Sequence, residues 1–382
     1  MKILYVINRM MQLAGIERIL SCKMNFLAEH TTHQIMLTTY EQQGEPISFP
    51  ISDKIIHRPF NVPMAERKGK SFMGWIKDNL LARHAFKREF RQVLKELQPD
   101  IVISTGYAFP VLDIIIDTSR RIEAKTIMES HVQGETVSMT KYIYNPTIRR
   151  LFAFWDRHIM KSLANCDCVV TLTQGDVAYW EKYAPYIKVI PNVLTIKPKQ
   201  VIDYSVKRVI CAGRYAPQKG YDLLMEAWRE ISERFNDWHL YVFGNGSRTP
   251  YQNMVNCYGL SENVHLMEAT PYIVDEFVRS SIYVMSSRFE GFGLVLTEAM
   301  ACGLPCVSFD CPHGPRDIIS DNEDGILVEN GNTKELAQAL EHLMADTELR
   351  RAMGKKAAKN IIRYSPENIM MQWSSLFQDI RS

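Results

Sequence analysis

The sequence predicts an α/β protein built of two similar domains, each a parallel sheet covered by helices. At 382 residues the chain is longer than one ordinary α/β core and fits two domains of about 150–200 residues each. Short β-branched and apolar runs alternate with longer amphipathic stretches almost from end to end. This alternation is typical of βαβ units, in which helices connect parallel strands.

Each half of the chain contributes six predicted strands. In the N-terminal half they are residues 2–7, 34–39, 100–104, 125–129, 167–172 and 187–190. In the C-terminal half they are residues 208–212, 239–243, 264–266, 282–285, 305–308 and 326–328. Between the strands, stretches such as 221–235 and 333–344 have the apolar spacing of helices that cover a sheet.

A polar, proline-containing segment separates the two halves. Pro191 and Asn192 end the last strand of the first half, and the residues that follow read as a linker. Farther on, Ser365 and Pro366 are the N-cap and first residue of a predicted helix with an apolar face. We therefore predict a Rossmann-like domain over residues 1–195, a second over 206–362, and a helical segment over 363–382 that packs on another part of the molecule.

The bulk composition excludes several classes of protein. A formal net charge of +2 does not favour nucleic-acid binding by the chain as a whole. No apolar run approaches the roughly 18 residues that span a bilayer, and residues 2–7 are a first strand rather than a secretion signal. The eight cysteines lack the spacing of a zinc site and are expected to be reduced, which predicts a cytoplasmic protein.

Residues 287–305 carry the most informative pattern. They follow a predicted strand and run into a helix that starts near Leu294. Gly291 and Gly293 allow the backbone to approach a ligand closely, and the free N–H groups at a helix start favour a bound anion. The segment therefore predicts a site for a phosphate-bearing ligand.

Two carboxylates lie on the same segment. Glu290 stands in the loop and Glu298 just over one turn inside the helix, and each can accept hydrogen bonds from a pair of hydroxyls. Taken alone, such a pair also fits solvated surface acids. With the flanking Glu-Ala-Met-Ala-Cys-Gly-Leu-Pro run, however, the segment closely resembles the nucleotide-sugar signature of the family-4 retaining glycosyltransferases.

The resemblance implies a fold and a role for each residue. Glu290 would hold the donor hexose and Glu298 the ribose. The backbone lining the sugar and diphosphate would be that of Gly291, Phe292, Gly293 and Leu294. The implied architecture is GT-B, in which two Rossmann-like domains face each other across a cleft and the last helix crosses back to the first domain. Retention of anomeric configuration is implied in the same way.

A second loop carries two cations. Arg214 and Lys219 follow the strand 208–212, at the strand end where open α/β sheets bind ligands. Together they can neutralise a diphosphate and stabilise the charge that develops on it as it leaves. Either one alone also fits a solvated surface cation, whereas the pair resembles the Gly-Arg-x-x-x-x-Lys-Gly element of the same family.

No metal ion or other cofactor is predicted. No two aspartates stand two apart, so the chain lacks the Asp-x-Asp element with which glycosyltransferases of the other major fold hold a divalent ion. Arg214 and Lys219 offer a metal-free substitute. The co-substrate is expected to be a nucleotide-diphosphate sugar, and the resemblance favours UDP.

The N-terminal half offers two further candidates. Gly15 lies in the turn after the first strand, where the family usually has two glycines and this chain has Ala14 in the first position. This departure leaves open how closely the turn approaches the donor. His131 follows the strand 125–129 and matches a histidine that in the family contacts the donor sugar or helps to set up the reaction centre. A histidine satisfied within the core is the alternative.

Two stretches of the N-terminal half are both basic and aromatic. The basic residues of the first are Arg67, Lys68, Lys70, Lys77, Arg83, Lys87, Arg88, Arg91 and Lys95. The second, residues 141–161, includes Tyr142, Tyr144, Arg149, Arg150, Phe152, Phe154, Trp155 and Arg157. Such segments suit an anionic membrane surface, and ordinary helices with a solvated basic face fit as well. The membrane interpretation predicts a peripheral protein at the inner face of the membrane and a lipid-linked acceptor.

We therefore predict a glycosyltransferase that moves a hexose or N-acetylhexosamine from a UDP-sugar to a saccharide or lipid-linked acceptor in cell-surface glycan synthesis. The predicted catalytic residues are Glu290, His131, Arg214 and Lys219.

A sugar-nucleotide epimerase needs acid/base side chains at the ring carbons, for which His131 and Glu290 are the only candidate pair. A non-catalytic sugar-nucleotide-binding protein would keep Arg214, Lys219 and Glu298 but lose Glu290, which is present.

Overall fold

The protein folds into two compact α/β units. The computed structural model describes residues 1–12, 14–64, 71–105, 110–136, 146–197 and 202–381. The N-terminal unit comprises Met1–Val193 together with Pro366–Ser382, and the C-terminal unit comprises Leu194–Ser365. Each unit contains one parallel sheet, so the predicted α/β fold class is confirmed.

The sheet of the N-terminal unit has the strand order β3-β2-β1-β4-β5-β6-β7. Its strands are β1 (Lys2–Ile7), β2 (Gln34–Thr39), β3 (Ile56–His57), β4 (Ile101–Thr105), β5 (Lys125–Glu129), β6 (Cys168–Thr171) and β7 (Ile187–Val189). All neighbouring strands are parallel. The sequence analysis did not predict β3, because two residues at a sheet edge are too few to show a strand pattern.

Helices cover this sheet on both faces, which explains why β1 and β4 are buried along almost their whole length. The helices are α1 (Gly15–His30), α2 (Phe72–Leu97), α3 (Leu112–Arg120), α4 (Pro146–Ser162) and α5 (Val177–Trp180). Apolar residues of α2 and α3, among them Phe86, Phe90 and Ile115, pack with Leu4 and Val102 in one core cluster.

The sheet of the C-terminal unit has the order β10-β9-β8-β11-β12-β13. Its strands are β8 (Arg208–Ala212), β9 (His239–Gly244), β10 (Val264–Glu268), β11 (Ile282–Met285), β12 (Cys306–Phe309) and β13 (Gly325–Val328). The helices are α6 (Tyr221–Ile231), α7 (Thr249–Cys257), α8 (Ile273–Val278), α9 (Leu294–Ala301), α10 (Pro315–Ile318), α11 (Thr333–Ala345) and α12 (Thr347–Asn360).

The strand order of the C-terminal sheet reverses between β8 and β11, which lie side by side although about 70 residues separate them. Because all strands are parallel, the loops that follow β8 and β11 leave the sheet at the same edge. Open α/β sheets bind their ligands in the crevice formed by such a pair of loops. The fold thus marks one edge of the C-terminal unit as the place for a ligand.

The last helix, α13 (Pro366–Asp379), returns the chain to the N-terminal unit and packs on α1. Its buried face consists of Ile369, Met370, Trp373, Leu376 and Phe377. The ring of Phe377 meets His33 edge-on at 6.2 Å between centroids. The predicted crossing of the last helix to the first domain is therefore confirmed.

Truncation of Trp373 tests how much the N-terminal unit depends on α13. Trp373 is 1% exposed, so Trp373→Ala should lower the free energy of unfolding by about 3–5 kcal/mol through lost burial and the cavity left behind. Urea unfolding followed by circular dichroism measures this change. Met371→Ala is the matched control, because Met371 lies on the same helix but is 65% exposed and should cost less than about 0.5 kcal/mol. Equal effects of the two substitutions would contradict the packing described.

Candidate active site

In the C-terminal unit, the loop after β8 and the loop after β11 carry the predicted site residues and are in direct contact with each other. Gly220, after the β8 loop, has a φ of 62°, and a Cβ atom there would lie 2.0 Å from the carbonyl oxygen of Ser286, after β11. The Ser286 hydroxyl donates to the carbonyl oxygen of Lys219 at 2.9 Å, and the backbone N–H of Arg288 donates to that of Gln218 at 2.8 Å. The glycine is required because only a residue without a side chain allows this approach.

These contacts bring a lysine of the loop after β8 close to a glutamate of the loop after β11. The Lys219 ammonium donates to Oε1 of Glu290 at 2.7 Å, and the Ser287 hydroxyl donates to the same oxygen at 2.5 Å. The side chains of Lys219 and Glu290 are 17% and 9% exposed. Charge-assisted bonds of this kind hold a carboxylate in a defined position. The sequence analysis proposed both residues for the site but did not predict that they pair with each other.

Arg214 differs from Lys219 in being exposed on its loop. Within the part of the chain that the structure describes, its guanidinium makes no hydrogen bond or ion pair. A fixed, planar group of five donors with no protein partner is suited to an incoming anion such as a phosphate. The structure thus brings Lys219 to Glu290 and leaves Arg214 available.

The glycines after Glu290 shape the start of α9. Gly293 has a φ of 101° and is the N-cap residue of α9, which begins at Leu294 as predicted. Phe292 is buried and contacts the Tyr364 ring edge-on at 5.5 Å between centroids. No side chain caps α9, so the first turn presents backbone N–H groups of the kind that bind anions.

A third loop, between β12 and α10, supports this turn. A Cβ atom on Gly314 would lie 2.0 Å from the carbonyl oxygen of Phe292, and the backbone N–H of Glu290 donates to the carbonyl oxygen of Pro312 at 3.4 Å. The loop has the sequence Cys-Pro-His-Gly-Pro. Its glycine permits the close contact that fixes the backbone between Glu290 and Gly293.

Glu298 lies one turn inside α9 and is buried, with 3% of its surface exposed. Oε1 of Glu298 accepts a hydrogen bond from the Thr195 hydroxyl at 3.4 Å. A buried carboxylate needs such donors, because its lone pairs are removed from water. Burial is inconsistent with the alternative that Glu290 and Glu298 are solvated surface acids.

The N-terminal unit places Gly15 as the first residue of α1, directly after the turn that follows β1. The N-cap residue is Ala14, and no side chain caps the helix. The first turn of α1 is therefore a second uncapped helix start, at the end of a central strand. Whether Gly15 contacts the donor stays a prediction.

His131 lies in a buried ionic cluster just beyond β5. Its side chain is 4% exposed, and Nε2 is 3.4 Å from Oε1 of Glu129. The same Glu129 oxygen accepts from the Lys23 ammonium at 2.5 Å. Burial acts to raise the pKa of Glu129, but the Lys23 ammonium and the His131 imidazole hold it well below its usual range.

Lys23 and Glu129 are not among the residues predicted from the sequence, although each leaves a signal there. Lys23 interrupts an apolar helix face that includes Leu20, Met24 and Leu27. Glu129 ends a strand that is otherwise buried. A charged residue at such a position is expected to have a buried partner of opposite charge.

Comparison with known proteins identifies the enzyme class. Residues 193–360, which include the loops after β8 and β11, match the family described as glycosyl transferases group 1. An uncharacterized glycosyltransferase of Haemophilus influenzae is 28% identical over 76% of this chain and 79% of its own length. The amylovoran biosynthesis glycosyltransferase AmsD of Erwinia amylovora is 26% identical over 98% of this chain and 99% of its own length. The chain is a glycosyltransferase, and its residues 193–360 are similar to the group 1 family.

Solved structures place the glycosyltransferase in the GT-B fold. The structure of a mutant of S. aureus TarM in complex with Fondaparinux, alpha-GlcNAc-glycerol and UDP superposes with a TM-score of 0.63 at 26% identity and covers 78% of this chain. The chain spans 59% of the length of that structure. The GT-B fold class predicted from the resemblance, with its two parallel-sheet domains, is confirmed.

The basic and aromatic stretches of the glycosyltransferase are described in part. Residues 67–70 and 141–145, and with them Arg67, Lys68, Lys70, Tyr142 and Tyr144, lie outside the described residues. On α2 and α4, Leu80, Leu81 and Phe154 are more than half exposed. Arg83 is not part of a solvated basic face, because it pairs with Asp113 and lies over the Trp155 ring, 4.9 Å from its centroid.

The described residues bear on the metal and membrane predictions. No group of three or more His, Cys, Asp or Glu side chains among them is arranged to hold a metal ion. No helix found there has the length and apolar character needed to cross a bilayer. Metal independence and peripheral membrane contact both stay predictions.

The contact between Gly220 and Ser286 can be tested with a glycine pair of the glycosyltransferase. Gly220→Ala should lower the free energy of unfolding by about 1–3 kcal/mol more than Gly259→Ala, as measured by thermal unfolding. Both glycines have positive φ, 62° and 69°, but an added Cβ at Gly259 has nothing within 4 Å. The control therefore carries the same backbone strain without the clash. A Gly259→Ala variant as unstable as Gly220→Ala would contradict the close contact between Gly220 and Ser286.

Proposed function

We propose that this glycosyltransferase moves a hexose or N-acetylhexosamine from a UDP-sugar to a saccharide or lipid-linked acceptor during synthesis of a cell-surface glycan. The observation that carries the proposal is the Lys219–Glu290 pair, held at the strand-order reversal of the C-terminal sheet. There a fixed carboxylate, a cation and an uncapped helix start lie on adjoining loops. This combination suits a ligand that joins a diphosphate to a hydroxyl-rich sugar.

The names of the relatives support the proposed substrate class. The full-length relative AmsD acts in the biosynthesis of amylovoran. The similar TarM structure holds UDP together with alpha-GlcNAc-glycerol. The first supports sugar transfer in the biosynthesis of a cell-surface glycan, and the second supports a uridine nucleotide on the donor.

The proposed donor site assigns a task to each group. Glu290 accepts hydrogen bonds from the sugar hydroxyls and Glu298 from the ribose. The backbone from Gly291 to Leu294 lines the sugar and the diphosphate. A bound diphosphate would share the Lys219 ammonium with Glu290 and would give Arg214 the anionic partner that it lacks among the described residues.

In the proposed mechanism the two cations act most strongly as the bond breaks. The leaving nucleoside diphosphate gains negative charge in the transition state, so Arg214 and Lys219 stabilise that state more than the bound donor. The acceptor hydroxyl attacks from the face that the diphosphate leaves, and the departing phosphate oxygen takes its proton. The configuration of the sugar is retained, and no metal ion or other cofactor is required.

We place the acceptor on the N-terminal domain, as the family resemblance implies. Exposed Leu80, Leu81 and Phe154 on α2 and α4 accompany exposed cationic side chains such as Arg88. Apolar and cationic groups side by side favour the surface of an anionic bilayer. This supports a lipid-linked acceptor presented at the inner face of the membrane.

Donor binding is tested by thermal unfolding with a panel of UDP- and GDP-sugars. A UDP-sugar at about 100 times its dissociation constant should stabilise the wild type by about 2.7 kcal/mol, and GDP-sugars should have little effect. Arg214→Ala should reduce the stabilisation, because the diphosphate loses a charge-assisted contact. Arg351→Ala is the control, since Arg351 is half-exposed on α12 and pairs with Glu348 of the same helix.

Two results of this panel contradict the proposed donor site. One is a wild type that no sugar nucleotide stabilises. The other is an Arg214→Ala variant that responds to the donor as Arg351→Ala does.

The stereochemistry and the metal requirement are tested in one reaction. Enzyme incubated with UDP-N-acetylglucosamine or UDP-glucose and without acceptor should slowly hydrolyse the donor and first release the α-anomer, as read by proton NMR before mutarotation. Excess EDTA should leave the rate within about twofold of the rate with added Mg²⁺ or Mn²⁺, because Arg214 and Lys219 take the part of the ion. Initial release of the β-anomer contradicts retention, and a rate abolished by EDTA contradicts metal independence.

A further inference from the structure

The most unusual feature outside the donor loops is the buried cluster of Lys23, Glu129 and His131 in the N-terminal unit. Lys23 lies on α1, Glu129 ends β5 and His131 follows two residues later. Their side chains are 1%, 2% and 4% exposed. Three ionisable groups with so little contact with water are rare, because burying each charge costs several kcal/mol.

The geometry makes Glu129 the centre of the cluster. Its Oε1 atom is 2.5 Å from Nζ of Lys23 and 3.4 Å from Nε2 of His131. The Lys23 ammonium in turn lies 3.7 Å from the centroid of the Trp373 ring, which α13 supplies. A cation against an aromatic face gains electrostatic energy that offsets part of its desolvation. The chain of contacts therefore runs from the last helix through lysine and glutamate to the histidine.

Stability alone does not explain such an arrangement. A buried ion pair typically contributes no more to stability than well-packed apolar side chains of the same size. The cluster is also incompletely satisfied: among the described residues, Oε2 of Glu129 and Oε2 of the neighbouring Glu17 have no hydrogen-bond partner, and Nε2 of His131 meets Oε1 of Glu129 at 3.4 Å as an electrostatic contact rather than a hydrogen bond. Buried polar atoms are nearly always paired in folded proteins, so unpaired ones call for a role beyond packing.

Within the cluster, the Glu129 carboxylate is charged at neutral pH. Burial would raise the pKa of Glu129, but Lys23 and His131 hold it well below the usual range, so the carboxylate is ionised throughout the neutral range. Burial acts in the opposite sense on Lys23 and lowers its pKa, while the Glu129 carboxylate opposes this change. A permanent carboxylate 3.4 Å from Nε2 favours the tautomer that carries its proton on that nitrogen.

We propose that Glu129 and Lys23 are positioning residues, through which Glu129 fixes the His131 ring with its proton on Nε2 and Lys23 fixes the Glu129 carboxylate. In this tautomer Nδ1 is left as a hydrogen-bond acceptor, which suits a hydroxyl group of the sugar. The inference rests on the proposed function and on the family resemblance, which implies that His131 contacts the donor sugar. Neither Lys23 nor Glu129 touches the substrate.

The test replaces the whole ion pair and leaves no buried charge unpaired. The double variant Lys23→Met/Glu129→Leu should keep a stability close to that of the wild type, because apolar side chains of similar volume take the place of the pair. The matched control is Lys54→Met/Glu29→Leu, which removes an exposed ion pair of the same domain, 2.9 Å long. Thermal unfolding confirms that both variants are folded.

The first measurement does not depend on the donor. Long-range ¹H–¹⁵N spectra of the full-length enzyme report which nitrogen of each histidine ring carries the proton, and His131→Gln assigns the signal. We expect the Nε2–H tautomer in the wild type and in the control, and a mixture of tautomers in Lys23→Met/Glu129→Leu. An unchanged tautomer in that variant would overturn the proposal.

The second measurement is the rate of UDP release from UDP-N-acetylglucosamine and UDP-glucose. Loss of the ion pair should lower kcat at least about tenfold, as expected when a catalytic histidine loses the carboxylate that orients it, and should change KM for the donor less. In a His131→Gln background the same double substitution should cause no further loss, since the pair acts through His131. A full additional loss in that background would overturn the proposal. A wild type that releases UDP from neither donor would refute the proposed function, while the tautomer measurement would still decide whether Glu129 positions His131.

Discussion

The parallel pairing of β8 with β11 is the constraint on which the candidate site depends. These neighbours in the sheet are distant in sequence, so the loops after them meet at one edge although neither could form the site alone. Gly220 then lets the two loops approach until backbone touches backbone. The position of the Lys219–Glu290 pair follows from these two facts, because each side chain extends from a loop whose path is already fixed.

Much of this arrangement could be predicted from the sequence, because the signals are local. The alternation of apolar runs predicted every strand of both sheets except β3, and the glycine-rich segment predicted the start of α9 at Leu294. The ion pair between Lys219 and Glu290 could not be predicted in the same way. It depends on which strands are neighbours, and the order of strands in a sheet leaves no trace in the spacing of residues along the chain.

The contacts within the buried cluster of the N-terminal unit could not be predicted from the sequence either. Lys23 and Glu129 are more than 100 residues apart, and each is recognisable in sequence only as a charge in an apolar context. Their pairing requires that α1 lie against β5, and the aromatic cover of the lysine requires α13 from the far end of the chain. The residues that hold a reactive group in place are harder to find than the group itself, because no motif links them.

The return of α13 to the first domain has a consequence for the order in which the protein matures on the ribosome. The N-terminal unit consists of two segments, and the whole C-terminal unit is synthesised between them. Domains generally fold as they emerge, yet this one waits for α13 until the whole C-terminal unit has been synthesised. Until Trp373 arrives, the Lys23 ammonium and the apolar face of α1 lack their cover. The C-terminal unit, synthesised as one continuous segment, can complete its core before the domain that precedes it.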